Sequence, residues 1–246
     1  MSGHSKWANI KRKKGLNDVQ KGKVFSKLSR LITLAVIEGG GVTLPENNIK
    51  LRLAIDKAKQ DNMPKENIKR AIEKGVGPDR TMLREELFEA FGPSGIALVI
   101  LATSDNPNRT LSEIRNVLER HGGKLGNRGS STYLFKKCGM VTFLKAKNSS
   151  DKIFAFAESI QAFDIDEDGD YLNVYFPFEI LGKVKEHLGA LESEVSELDY
   201  KPNLLITIKS NEESKRILSL LNALEDLDDV QKVFSNFIIS HEFLNE

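Results

Sequence analysis

The chain has 246 residues, of which 40% are apolar and 29% charged, and a formal net charge of only +1. Its length exceeds the usual ~100–150 residues of one domain, and its single cysteine, Cys138, excludes an internal disulfide and fits a reducing compartment. The longest apolar runs, Leu31–Ile37 and Gly95–Ala102, fall far short of the ~20 residues of a membrane span; no signal-peptide core follows the basic N-terminus, so a cytoplasmic protein is expected.

The near-zero total hides a strong asymmetry. Residues 1–80 hold 18 basic and 8 acidic side chains, a net of +10, whereas residues 81–246 hold 18 and 27, a net of −9. The first thirty residues alone carry Lys6, Lys11, Arg12, Lys13, Lys14, Lys21, Lys23, Lys27 and Arg30 against one acid, Asp18, together with the only tryptophan, Trp7. Four adjacent cations at Lys11–Lys14 repel one another unless a polyanion meets them, and nucleic acid meets them best because each neutralised phosphate releases condensed counterions. The competing reading is a helical domain with solvated charged faces.

In chain order, residues 1–16 show no apolar period and are expected to form a basic arm that stays flexible until bound. Asn17 or Asp18 caps a helix carrying Val24, Phe25, Leu28, Leu31, Ile32 and Ala35, which Gly39–Gly41 ends. A second helix starts at Asn47 or Asn48, and a third runs from Pro64 to Gly75; residues 17–78 thus predict a three-helix bundle. The period then changes. Leu87–Phe91 and Ile96–Thr103 are expected strands around the turn Gly92-Pro93-Ser94-Gly95. Asn108 or Thr110 begins a helix that ends at Gly122-Gly123, and a Gly-rich loop and a short strand at Tyr133–Phe135 follow.

Residues 139–199 read as strand Met140–Leu144, helix Lys152–Gln161, strand Phe163–Asp166, a turn at Asp168-Gly169, strand Leu172–Phe176, helix Phe178–Leu188 and strand Glu194–Asp199. That β-α-β-β-α-β order is ferredoxin-like. Strand Leu204–Ile208, helix Glu212–Leu224 and strand Val230–Phe237 complete the chain. The fold class expected is α+β and multidomain.

Several patterns invite a chemical reading and fail it. Asp164, Asp166 and Asp168 before Gly169 begin like a calcium loop, but its twelfth position is Tyr175 where a bidentate Glu is needed. Gly123, Gly126 and Gly129 follow a helix and precede a strand, the reverse of a nucleotide cradle; Arg128 within them is still a candidate contact to a sugar-phosphate backbone. His4, His121, His187 and His241 are scattered, Cys138 has no histidine at nucleophile spacing, and Ser104-Asp105 lacks a nucleophile elbow. No metal, cofactor, small-molecule substrate or catalytic constellation is indicated, and an enzyme is not expected.

The string Gly3-His4-Ser5-Lys6-Trp7-Ala8-Asn9-Ile10-Lys11 resembles the start of the YebC/PmpR family. The likeness continues at Gly39-Gly40-Gly41, Leu53–Ala58, Asn62-Met63-Pro64, Arg70-Ala71-Ile72, Ser104-Asp105-Asn106, Asn108-Arg109-Thr110, Leu224-Glu225-Asp226 and Asp229-Val230-Gln231. The resemblance implies an N-terminal bundle, a middle α+β domain from 79–136 plus 203–246, and a ferredoxin-like domain at 137–202 inserted into it. It also implies a cytoplasmic, DNA-binding regulator of transcription. The related mitochondrial activator of cytochrome oxidase synthesis, and bacterial members, resemble translation factors acting on the ribosome. Two departures stand out: the family's Tyr-Glu-Gly-Tyr-Gly-Pro is here Phe88-Glu89-Ala90-Phe91-Gly92-Pro93, and its Gly-Ser-Val is Gly129-Ser130-Ser131.

The expected function is therefore a non-enzymatic regulator of gene expression that binds nucleic acid. Lys6, Lys11, Arg12, Lys13 and Lys14 would touch phosphates, and Trp7 would stack on a base or anchor the arm. Lys21, Lys23, Lys27 and Arg30 would extend the footprint, with Arg109 and Arg128 as further contacts. No helix carries the Asn, Gln and Arg array of a base reader. A DNA-binding transcription regulator, a translation factor on ribosomal RNA and an adaptor docking a protein partner all stay open.

Overall fold

A computed structural model describes residues 18–77 and 83–239. They form two compact units: residues 18–77, 83–131 and 210–233 make one, and residues 132–209 with 234–239 make the other.

The first unit begins with α1 (Asp18–Glu38), α2 (Ile49–Gln60) and α3 (Lys65–Val76). Leu28, Ile32, Ala35 and Val36 recur on one face of α1 and pack with Leu51, Ala54, Ile55, Ala58, Met63, Ile68 and Ala71 in one apolar core. Asn48 caps α2 by accepting from the Leu51 amide at 3.1 Å, while its own amide donates to the Ala35 and Val42 carbonyls at 2.9 and 3.2 Å. Gly39 is thereby explained, because a Cβ there would lie 2.2 Å from the Asn48 amide nitrogen. Gly75 is needed for a different reason. Its absent Cβ would stand 2.6 Å from Cβ of Val36, so α1 and α3 cross through it. Gly75→Ala should destabilise the chain by about 2 kcal/mol, the usual magnitude of overpacking, and a urea titration of the two proteins checks it.

Beyond residue 82 the same unit carries β1 (Arg84–Phe91), β2 (Ala97–Ser104), α4 (Pro107–Arg120) and β3 (Lys124–Leu125). β1 and β2 pair antiparallel around the expected turn, with Phe91 opposite Ala97. Asn106, with Pro107 in the first turn, caps α4 through the Arg109 amide at 3.2 Å, so this helix begins before the Asn108 or Thr110 expected. β3 was not anticipated: two residues pair with β1, placing Lys124 opposite Phe91 and Leu125 opposite Ala90.

The second unit opens with β4 (Phe135–Leu144), α5 (Ser150–Ser159), β5 (Asp164–Asp168), β6 (Tyr171–Pro177), α6 (Val184–His187) and β7 (Ser193–Pro202). The sheet order is β5-β6-β4-β7, with every neighbouring pair antiparallel. Phe143 on β4 meets Phe156 on α5 edge to face, ring centroids 5.3 Å apart. The Asp-rich run is a hairpin, as its alternation implied: Asp168 pairs with Tyr171 across Gly169-Asp170, with Gly169 at φ +58°.

Four expected elements differ in the structure. Tyr133–Phe135 is not a separate strand, because Thr132–Leu134 is a 3-10 turn and Phe135 already opens β4. The helix expected over Phe178–Leu188 is a 3-10 turn at Phe178–Ile180 and the single turn of α6; Gly182, costly in a helix interior, lies between them. Val230–Phe237 is two strands, β9 (Val230–Ser235) and β10 (Phe237–Ile239), interrupted at Asn236. β10 pairs parallel with β8 (Ile206–Ile208), shorter than the strand expected, and Leu204 is left 72% exposed.

In the first unit, α7 (Asn211–Glu225) and then β9 follow. β9 completes the sheet in the order β3-β1-β2-β9. β2 lies inside it and is buried along nearly its whole length, which accounts for the continuous apolar run Ile96–Ala102. No helix among the described residues is long and apolar enough to cross a membrane.

Candidate nucleic-acid interface

Of the expected contact residues, Lys6, Trp7, Lys11, Arg12, Lys13 and Lys14 lie outside the described residues. The others divide sharply. Lys21 and Lys23 are exposed on the first turns of α1. Lys23, Lys27 and Arg30 recur at helical spacing and share one face of it. That face meets the turn between α7 and β9, where Glu225, Asp226, Asp228 and Asp229 gather negative charge.

Asp229 is the centre of this contact. Its side chain is 2% exposed and accepts hydrogen bonds from Thr110 Oγ1 at 2.6 Å, Arg109 Nη2 at 2.8 Å and Ser104 Oγ at 3.1 Å, and from Arg30 Nη1. The Thr110 and Ser104 hydroxyl oxygens lie 2.7 Å apart. Beside it, Lys27 Nζ donates to the carbonyls of Glu225 and Val230 at 2.5 and 2.6 Å, and Lys23 stands 3.8 Å from Asp226. Arg109 also holds Asp105 at 2.9 Å.

The electrostatics follow from that geometry. Burial by itself pushes the Asp229 carboxyl up, but hydrogen bonds from Thr110, Arg109 and Arg30, with the Arg30 charge, outweigh it and hold the group at about 2. The Arg109 guanidinium is raised further above its already high value, chiefly by its hydrogen bond to Asp229 and then by that to Asp105. Two guanidiniums and two hydroxyls thus converge on one buried carboxylate and keep it ionised. It acts as a tie between α1 and the sheet of its unit.

A second buried carboxylate organises the Gly-rich loop. Glu89 is 4% exposed; its Oε1 accepts from the Gly129 amide at 2.5 Å and its Oε2 from the Ser131 amide at 2.6 Å. Ser131 Oγ donates to the Leu98 carbonyl at 2.9 Å, and the Gly126 amide to the Glu89 carbonyl at 2.8 Å. Charge-assisted bonds of this kind fix the loop's shape and leave Asn127 and Arg128 exposed at its crest. Glu89→Ala should lower stability by about 2 kcal/mol by orphaning two amides, and should speed hydrogen exchange at Gly129 and Ser131 in an NMR measurement.

Asp229, Ser104, Thr110 and Glu89 did not emerge as functional residues from spacing. Their signal in the sequence was only that each sits in a stretch singled out for resemblance. Among the described residues no group of His, Cys, Asp and Glu is placed to hold a metal ion.

Comparison with known proteins decides the lineage. Residues 5–78 match the family model for the TACO1/YebC protein N-terminal domain, and residues 83–237 match that for the TACO1/YebC second and third domain. The chain belongs to the YebC family. A probable transcriptional regulatory protein of Aquifex aeolicus is 42% identical, covering 100% of this chain and 99% of its own. One of Persephonella marina is 40% identical over 100% and 99%, and one of Halothermothrix orenii 42% over 100% and 98%. The crystal structure of a conserved hypothetical protein from Aquifex aeolicus superposes with a TM-score of 0.84 at 40% identity, over 93% of this chain and 95% of that one. The family's mixed architecture, with helices first and sheets after, is the one seen here.

Proposed function

We propose that this YebC-family protein regulates gene expression by binding nucleic acid, with the basic arm of residues 1–16 and the exposed start of α1 as its contact surface. The observation that carries the reading is the net +8 of the first thirty residues against −9 beyond residue 80. The relatives' description as probable transcriptional regulatory proteins supports it.

The geometry revises the footprint. Lys27, Arg30 and Arg109 are held close by internal acceptors, so the phosphates are assigned first to Lys6, Lys11, Arg12, Lys13 and Lys14, with the exposed Lys21 and Lys23 extending the contact and Trp7 stacking on a base or anchoring the arm. Arg128, raised on the loop that Glu89 holds, is a separate contact. In this reading residues 17–78 are a three-helix bundle, and residues 137–202 form a ferredoxin-like insert, which the sheet order β5-β6-β4-β7 supports. The protein works in the cytoplasm, without catalysis.

Sedimentation of a lysate containing a tagged copy tests the partner. A transcription regulator should co-migrate with DNA and return to light fractions after DNase. Co-migration with ribosomal subunits that survives DNase and is lost with RNase would replace it by a translation factor on ribosomal RNA. Indifference to both nucleases would leave a protein adaptor and overturn the nucleic-acid reading.

A further inference from the structure

A groove of about 400 Å³ opens in the first unit, at the small end of the ~300–1,000 Å³ of ligand clefts. Phe91, Gly92, Gly95, Gly122, Gly123 and Lys124 line it. Two stretches that the sequence singled out, Phe88–Pro93 and the Gly-rich segment after α4, thus meet at one place. The function proposed above uses Glu89 and Arg128 of these stretches but neither Phe91 nor Lys124.

Its wall is unusual in what it lacks. Four of its six lining residues are glycines, so the only side chains larger than hydrogen among them belong to Phe91 and Lys124. The register produces this pairing, since Phe91 on β1 lies directly opposite Lys124 on β3. The strands come together only because residue 123 is glycine: a Cβ there would stand 2.8 Å from the Phe91 carbonyl oxygen. Phe91 is half-buried at the end of its strand, Lys124 is exposed, and no described carboxylate pairs with it.

The backbone donors are already committed. The amide of Gly92 bonds to Ile96 at 2.8 Å, that of Gly95 to Gly92 at 3.3 Å, that of Gly122 to Glu119 at 3.2 Å and that of Gly123 to Leu118 at 2.8 Å. A nest of amides around phosphate is therefore not what the groove offers. It offers a slot of bare backbone, an aromatic surface and a single adjacent cation. That combination suits a flat ring carrying one nearby negative charge.

We propose that this groove holds one unpaired nucleotide, its base against Phe91 and its phosphate on Lys124. Stacking tolerates any base, because every base has a π face, and the cation contributes one phosphate contact. The site deepens the nucleic-acid reading and rests on it, adding a single-strand contact to an arm that grips backbone charge. The Tyr-to-Phe departure at Phe91 keeps the ring and drops the hydroxyl, so stacking is the function it retains.

The test uses the full chain and three probes: an oligoadenylate of about eight nucleotides, within the reach of one single-strand site, a duplex, and AMP. Phe91→Leu keeps an apolar side chain and removes the π face. It should weaken oligoadenylate binding roughly five- to a hundredfold, the range of one lost base stack, while duplex affinity stays within about twofold. Lys124→Gln should flatten the salt slope for the oligonucleotide by about 0.7, one single-strand phosphate.

Amide NMR signals of Gly122, Gly123 and Lys124 should move with oligoadenylate. If AMP moves them at the same nucleotide concentration, the site takes a free nucleotide; tighter binding of the oligomer assigns it to a chain. Signals unmoved by either probe, or a Phe91→Leu variant that loses duplex and oligomer binding equally, would overturn the site. Failure of the arm reading looks different: oligomer affinity would then survive replacement of Lys11–Lys14, while the groove signals still respond to AMP.

Discussion

Asp229→Ala should lower the stability of the first unit by about 3 kcal/mol, within the range found when one member of a buried charged network is removed. The change strands Thr110 and Ser104, which are fully buried, and leaves Arg30 and Arg109 without their shared acceptor. Much of the loss is the desolvation of partners left unpaired. The two arginines are 29% and 43% exposed and regain water, which keeps the loss at the low end of that range. Urea unfolding followed through the helical signal measures it, and a loss under about 1 kcal/mol would show that the network is dispensable.

The same group predicts an acid transition. Asp229 is held at about 2 when folded, against an ordinary 3.8. A depressed carboxylate contributes stability that is complete above the unfolded value and vanishes as pH falls through the folded one. About 2 kcal/mol should therefore be lost between roughly pH 4 and pH 2, at ~1.4 kcal/mol per pKa unit. Asp229→Asn removes the titrating group, so its stability should fall less steeply than that of the natural chain across this window. Parallel curves for the two proteins would place the acid sensitivity elsewhere.

The second large effect concerns the arm. With Lys11–Lys14 changed to Gln, four phosphate contacts are lost at roughly 0.7 to 0.9 each in the salt slope, so log K against log salt should flatten by about three. Affinity for a nucleic acid should fall roughly a hundredfold near 0.1 M salt. An unchanged slope would remove the arm from the contact surface. Arg30→Met is the informative companion, because Arg30 binds Asp229 in the folded chain. It should reduce stability and leave the slope as it was. A slope that flattened with Arg30→Met would return that residue to the footprint.

These two experiments separate cations that look alike in the sequence. Lys11 through Arg30 read as one positive run, and spacing alone puts Lys23, Lys27 and Arg30 on a common helix face. What that face meets is decided by residues some two hundred positions later, Glu225 to Val230. Sequence proximity carries no trace of that pairing, because a carboxylate's partners are fixed by burial and chain reversal. Glu89 is similar: as one residue in a strand it is unremarkable, and only the return of Gly129 and Ser131 makes it the loop's anchor.

Local physics was legible where it depends on near neighbours. The apolar period of α1 to α3, the glycines ending α1, the Asn48 cap and the Gly169 turn each follow from backbone preferences within a few residues. The element order over residues 139–199 was legible too, except where a glycine at 182 broke an expected helix into short turns. β3 was invisible, since two residues hold a strand only when an edge such as β1 is waiting for them. For the same reason the groove could not be foreseen: its ring and its ammonium group come from strands joined across thirty-odd residues.

By itself, the sequence determined the charge asymmetry, the helical start, the strand-rich remainder and the family, because composition and periodicity are properties of short windows. The tertiary structure alone decided that Lys27 and Arg30 are turned to internal acceptors, while Lys21 and Lys23 stay exposed. It also brought Phe91 beside Lys124. Both outcomes rest on packing between distant segments, and there burial sets the worth of each charge.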